Sequence, residues 1–279
     1  MKKKYGITYI TPFILWTTLF FILPTTIIFI YSFLKKALYG GVDWQLSFKA
    51  YIDLFDISLL KIFLNTSFVA IVSTIITIFF AIPSAYYIAR SNHKDKLIFF
   101  IIIPFWTNFL VRIYSWIAIL GNNGLLNQIL LKFGIIDDYL MFLYNNGSII
   151  TVMVYTYLPY AILPLFSTIE KFDFSLLEAA RDLGATKSES IFKVFLPNIK
   201  TGIYTAMIFT FIPAFGNYAI PQLVGGINSM MIGNVISREL MITRNWPLAS
   251  AISVFITIIT VSGILIFMNK NDKKKKVVL

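Results

Sequence analysis

The chain has 279 residues, 58% of them hydrophobic and only 13% charged, with a mean hydropathy of +0.78. That balance suits lipid rather than water. The absence of cysteine excludes disulfides, thiol catalysis and thiolate metal sites. The single histidine, His93, stands in a short charged loop and reads as a solvated residue rather than a ligand.

A bilayer-spanning helix needs roughly 20 apolar residues. Six runs meet that length, at 7–34, 62–89, 97–120, 148–169, 203–224 and 248–268. The first follows Lys2, Lys3 and Lys4 like a signal peptide. It is too long for one and lacks a small-residue cleavage site, so a retained span is expected. The predicted fold is all-α: an integral membrane protein of six transmembrane helices in one domain over 1–279.

Three segments between the runs are expected on the outer side. Residues 47–60 mix Phe48, Tyr51, Ile52 and Phe55 with Asp53 and Asp56, predicting an interfacial helix. The 121–147 segment opens on the turn signal Gly121-Asn122-Asn123-Gly124. The 225–246 segment closes on Trp246-Pro247, with aromatics suited to an interface belt.

The net charge of +11 is unevenly placed. With the N-terminus inside, 16 of the 24 Lys and Arg fall on the cytoplasmic side. They are Lys2, Lys3, Lys4, Arg90, Lys94, Lys96, Lys171, Arg181, Lys187, Lys193, Lys200, Lys270 and the lysines at 273–276. The positive-inside rule puts both ends in the cytoplasm. These charges are split among separate loops, which argues against nucleic acid as a partner.

The inner loop at 170–200 is the polar exception between apolar runs. Ser175-Leu176-Leu177-Glu178 and Thr186-Lys187-Ser188-Glu189 both match a capping box. Gly184 lies between them, where a helix end favours positive φ. Two short helices with a glycine corner are predicted. Leu176, Leu177, Ala180 and Leu183 give the first an apolar side that must pack on something. Ala179 and Ala180 favour helix and permit close approach.

Glu178-Ala179-Ala180-Arg181-Asp182, Gly184, then Val194, Leu196 and Pro197 carry the spacing of a known signature. The chain resembles the permease subunits of ABC importers with the MetI-like fold. Further stretches extend the likeness to spermidine/putrescine permeases of the PotB type, among them Pro104-Phe105-Trp106-Thr107-Asn108, Arg112-Ile113-Tyr114 and Ile232-Gly233-Asn234. The resemblance implies that the 170–200 loop seats on an ATPase subunit and couples it to transport. It also implies a heteromeric importer of polyamines. Its partners would be a PotC-like second permease, two PotA-like ATPases that bind ATP and Mg, and an external PotD-like binding protein.

The residues permit that reading. No Gly-x4-Gly-Lys-Ser/Thr phosphate loop is present, so no cofactor is expected in this chain and energy must come from elsewhere. No Asp or Glu lies within the six runs, which argues against an ion-coupled carrier acting alone. A polycation must then pass over aromatic faces, each cation–π contact worth ~0.5–2 kcal/mol, and over amide or carbonyl oxygens. The candidates are Phe105, Trp106, Asn108 and Tyr114 in the third run, Tyr155, Tyr157 and Tyr160 in the fourth, and Phe211, Phe215, Asn217 and Tyr218 in the fifth. Most aromatics in such a chain pack against helices or lipid. Asn108 and Asn217 stand out because an amide in hydrocarbon needs a partner or water. Arg112 would repel a polyamine; it either bonds carbonyls at an outer gate, pairs with the sister subunit or snorkels. Pro159, Pro164, Pro213 and Pro221 predict kinks in the runs flanking the loop. An importer of another solute, such as thiamine, ferric iron or an anion, and a stand-alone secondary transporter are the other readings.

Overall fold

The structure is a computed structural model describing residues 2–276, with side chains described over 10–263 and at 265. The side chains of Lys2, Lys3, Lys4, Lys270 and the lysines at 273–276 lie outside the described ones. The elements in order are α1 (Lys2–Thr17), a π-turn (Thr18–Ile22), α2 (Leu23–Tyr31), β1 (Leu34–Lys36), β2 (Val42–Leu46), α3 (Lys49–Asp53) and α4 (Ile57–Arg90). Then come α5 (Lys94–Ile102), a 3-10 turn (Ile103–Trp106), α6 (Phe109–Leu120), α7 (Leu125–Lys132) and α8 (Asn146–Ile169). The chain continues through α9 (Ser175–Asp182), α10 (Lys187–Ser190), a π-turn (Ile191–Phe195), α11 (Leu196–Asn198) and α12 (Lys200–Phe215). It ends with α13 (Ala219–Val224), a 3-10 turn (Ile227–Ser229), α14 (Ile232–Met241) and α15 (Trp246–Lys276).

Five helices among the described residues are long and apolar enough to cross a membrane: Ile10–Tyr31, Ile57–Arg90, Phe109–Lys132, Asn146–Ile169 and Trp246–Gly263. Two expected spans differ. The run at 97–120 is broken by the turn around Pro104 and restarts at Asn108, whose side chain accepts from Leu110 N at 2.8 Å and caps α6. The run at 203–224 is split at Gly216-Asn217-Tyr218 into α12 and α13, and neither piece alone spans a bilayer.

The chain divides into two compact units, residues 1–61 with 235–279, and residues 62–234. In the first, α2 packs on α15, and Tyr31 stacks on Trp246 with ring centroids 6.1 Å apart. The predicted interfacial helix at 47–60 is a correction. An antiparallel β1–β2 hairpin precedes it, only α3 forms, and α4 already starts at Ile57. Asp56 ends the segment by accepting from Ser58 N at 2.7 Å, and that bonding holds its carboxyl below the usual range. The Gly40-Gly41 pair was a legible hairpin signal.

In the second unit α8 and α12 share the most extensive helix contact. Gly202 permits it, since a Cβ there would lie 2.5 Å from Thr168 Oγ1. The buried face of α4 reads Thr66, Val69, Ala70, Ser73, Thr74, Thr77, Ile78, Ala81, Ala85 and Ile88, a helical stripe of mostly small residues. The hydroxyls of Thr66, Thr74 and Thr77 bond carbonyls one turn back at 2.7 Å, so they enter the interface already satisfied.

Candidate functional site

In the 170–200 loop local chemistry builds α9 and α10. Asp173 accepts from Ser175 N at 3.0 Å, and hydrogen bonding from the Ser175 side chain, followed by this backbone bond, holds its carboxyl below the usual range. Ser175 is therefore the first helical residue rather than the cap. The expected Ser175–Glu178 capping box does not form, because the carboxylate two residues earlier takes the orphan N–H. At the other end Ala185 N donates to Ala180 O at 3.0 Å and Gly184 N to Arg181 O at 2.8 Å. This six-to-one and five-to-two pair needs a left-handed residue, and Gly184 has φ +91°. The second capping box forms as expected. Thr186 Oγ1 accepts from Glu189 N at 3.2 Å, and Thr186 N donates to Glu189 at 3.0 Å. Lys193 Nζ donates to Glu189 at 2.7 Å; that bond, followed by those from Thr186, pulls the Glu189 carboxyl down to about 2.

The apolar side of α9 is divided. Leu177 is 3% exposed and joins a core made of Ala85, Ile88, Leu165, Ile169, Phe195 and Ile199. Leu183 is 90% exposed, Leu176 is also exposed, and Glu178, Ala179, Arg181 and Asp182 lie beside them on the surface. Ala180 and Leu196 are half-buried, and Pro197 is exposed. Leu177 anchors the loop with Val194 and Leu196 packed against the same core, while Glu178, Ala179, Arg181, Asp182, Gly184 and Pro197 are exposed.

The aromatic and amide candidates separate into two sets. Tyr157 and Phe215 are buried within this chain, at 5% and 4% exposure. Tyr157 Oη donates to Pro213 O at 3.0 Å and accepts from Asn217 Nδ2 at 2.7 Å, while Asn217 Oδ1 accepts from Ile220 N at 2.8 Å. This relay satisfies the backbone where α12 breaks and α13 starts. Phe215 packs against Phe63 and Phe211. Trp106, Tyr114, Tyr155, Tyr160 and Tyr218 are exposed. Phe105 bridges toward this second set, with its ring 5.1 Å from that of Tyr160. Arg112 Cζ lies 5.2 Å from the centre of the Phe105 ring and 5.9 Å from that of Phe109, and its buried Nε has no hydrogen-bond partner. The break at 103–108 puts Arg112 in the first turns of α6, not in mid-span. Asn108 and Asn217 therefore both serve as caps at helix breaks.

Polar residues that the sequence reading left without a role organise the segments beyond the helices. Asn127 is fully buried, bonding Asn122 O, Leu140 O and Leu140 N at 2.9–3.0 Å. Asn234, 5% exposed, donates to Tyr218 O at 2.9 Å and to Gln222 at 3.1 Å. Their signal was an amide inside an otherwise apolar stretch. In the first unit, a cleft of about 500 Å³ is lined by Lys35, Lys36, Lys49 and Asp53. Three lysines make it a poor site for a polycation. Among the described residues no cluster of His, Cys, Asp or Glu could hold a metal.

The sequence family described as "Binding-protein-dependent transport system inner membrane component" matches residues 57–272. The chain is 34% identical over 258 residues to the spermidine/putrescine transport system permease protein PotB of Haemophilus influenzae, covering 92% of this chain and 90% of that one. It is 34% identical over 254 residues to the PotB protein of Escherichia coli K12, covering 90% and 92%. Among solved structures, a chain of a bacterial alginate ABC transporter in complex with its alginate pentasaccharide-bound periplasmic protein superposes with a TM-score of 0.75. It has 18% identity and covers 95% of this chain and 93% of that one. That likeness establishes the fold.

Proposed function

We propose, because this chain belongs to the family of binding-protein-dependent transport system inner membrane components, that it is the permease subunit of an ABC importer for spermidine and putrescine. The observation that carries the substrate class is 34% identity over about nine-tenths of both chains to permeases named for those solutes. The exposed signature of the 170–200 loop supports a coupling role: a small-residue helix with Leu183 unpartnered is a surface that a second protein covers.

In this reading the chain pairs with a second permease, two ATPases and an external polyamine-binding protein. ATP and Mg sit on the ATPases, since this sequence carries no phosphate loop. The α12–α13 pair counts as the fifth of six membrane crossings, and both termini are cytoplasmic. Nucleotide-driven closure of the ATPases shifts the loop, and the permease changes between inward- and outward-open populations through differential contacts there. Trp106, Tyr114, Tyr155, Tyr160 and Tyr218 offer rings to the passing cation. Asn108, Asn217 and Tyr157 fix the helix breaks, while Phe215 and Arg112 pack against neighbouring rings.

The test is uptake of labelled spermidine and putrescine in cells lacking this gene, complemented by wild type or Gly184→Pro. Uptake restored only by wild type supports both substrate class and coupling. Restoration by both removes the coupling role. Restoration by neither, with the protein in the membrane, transfers the assignment to another solute.

A further inference from the structure

The 170–200 loop is joined by the chain itself only to α8 and α12. The structure adds a third connection. Tyr86 on α4, Phe172 and Phe174 at the loop entry, and Phe195 at the loop exit form a closed cycle of four rings. Successive centroids are 5.7 Å (Tyr86–Phe174), 5.3 Å (Phe174–Phe172), 5.3 Å (Phe172–Phe195) and 5.1 Å (Phe195–Tyr86) apart. All four contacts are edge-to-face, between 77° and 88°, the arrangement that ring quadrupoles favour. Arg90, the last residue of α4, closes the cycle from outside. Its Cζ lies 5.3 Å from the Phe174 centroid and 5.8 Å from that of Tyr86, and Nη1 donates to Tyr86 Oη at 3.0 Å. Among the described residues Arg90 has no carboxylate within ion-pair distance, so its charge is spent on these rings and on the negative end of its own helix. A second tie runs alongside, since Lys94 at the start of α5 pairs with Glu170 where α8 ends; that hydrogen bond raises the lysine's pKa.

We propose that Arg90 is a positioning residue that latches the 170–200 loop to α4, so that loop and helix move as one body. The inference rests on the coupling role proposed above and adds the element that receives the motion. At 1.5 Å per residue, α4 carries a displacement at Arg90 about 35 Å to Thr66. There Thr66 Oγ1 accepts from Ile232 N at 2.9 Å and Asn65 Nδ2 donates to Met230 O at 3.3 Å. The loop is thereby linked through one continuous helix, which holds Pro83, to Met230 and to the first residue of α14.

The experiment uses the whole transporter in proteoliposomes with its binding protein, measuring labelled spermidine taken up per ATP hydrolysed. For Arg90→Gln and for Phe174→Leu, uptake per ATP is expected to fall at least fivefold. ATP hydrolysis should keep at least half its rate. The double variant should be no worse than either single one, because the two groups act as a unit. Arg90→Lys, which keeps a cation over the rings, should lie between wild type and Gln. Parallel loss of uptake and hydrolysis in all variants would reduce Arg90 to ordinary structural support and overturn the proposal.

A second readout does not depend on activity. The chain has no cysteine, so Ser91→Cys with Ser175→Cys gives one spin-labelled pair across the latch. A single distance that is the same with and without ATP supports the proposal; a distance that changes with nucleotide in the otherwise wild-type protein overturns it. Gly184→Pro is run beside these variants. If it leaves uptake coupled, the coupling role itself fails. If it uncouples transport while Arg90→Gln does not, only the latch fails.

Discussion

The 170–200 loop and the α12–α13 break both interrupt apolar sequence, and both must satisfy backbone groups that a continuous helix would have paired. The loop does so within a few residues: Asp173 serves Ser175, Ala180 and Arg181 serve the Gly184 corner, and Thr186 and Glu189 serve each other. The break reaches across the fold, where Tyr157 on α8 takes the Pro213 carbonyl and receives the Asn217 amide. The first device is solvated and tolerant. The second is buried, so losing one member leaves another unpaired in a low-dielectric setting.

Four experiments sharpen the contrast. The largest effect is expected from Gly184→Pro, whose ring fixes φ near −65° where the corner requires +91°. Uptake should fall more than tenfold with insertion unchanged. Gly184→Asn should retain most of it, because no atom crowds a Cβ at that site and Asn tolerates the left-handed region. Next is Tyr157→Phe, which strands the Pro213 carbonyl and one Asn217 hydrogen. A loss of about 1–3 kcal/mol is expected, read as a lower melting temperature of the purified protein. Asn217→Leu added to it should cost more, since Ile220 N then loses its acceptor as well.

Gly202→Ala comes third. Its methyl would sit 2.7 Å from Thr168 Cβ, so α8 and α12 must separate. Overpacking of this kind costs about 1–3 kcal/mol, and thermal melting with uptake at normal expression would show whether the helices yield.

The smallest effect belongs to the solvated caps. Thr186→Ala should cost about 1 kcal/mol, seen as faster amide exchange over 186–195. Because the folded Glu189 carboxyl is lowered from 4.5 to about 2, its contribution is full above 4.5 and fades as pH falls toward 2. Protection of the segment should therefore weaken across that window in wild type and be insensitive to it in Glu189→Gln. An unchanged pH response in the variant would assign the effect to other groups.

Legibility followed the same division. The glycine corner and the Thr186–Glu189 box could be read from spacing because each involves residues within one turn. The Ser175 box does not form, since Asp173 and Ser175 are both competent caps and the backbone path gives the Ser175 N–H to Asp173. Hydropathy gave no warning at 103–108 or 216–218. The breaks there use Pro104, Asn108, Gly216 and Asn217 inside runs whose average remains apolar. Tyr157 and Tyr160 were equivalent as sequence, three residues apart on one helix, yet one is buried and the other exposed.

Composition and short-range spacing alone determined that this is a multi-helix membrane chain with a polar loop of two short helices between apolar runs and no Gly-x4-Gly-Lys-Ser/Thr sequence. Apolar run length and capping are local properties, and they survive any packing arrangement. Only the tertiary structure decided which aromatics are free, where two helices break, and that Arg90 binds the loop to α4. The α12–α13 break and the Arg90 contact depend on side chains meeting partners far along the chain, Tyr157 with Pro213 and Arg90 with Phe174, and no local pattern encodes that meeting.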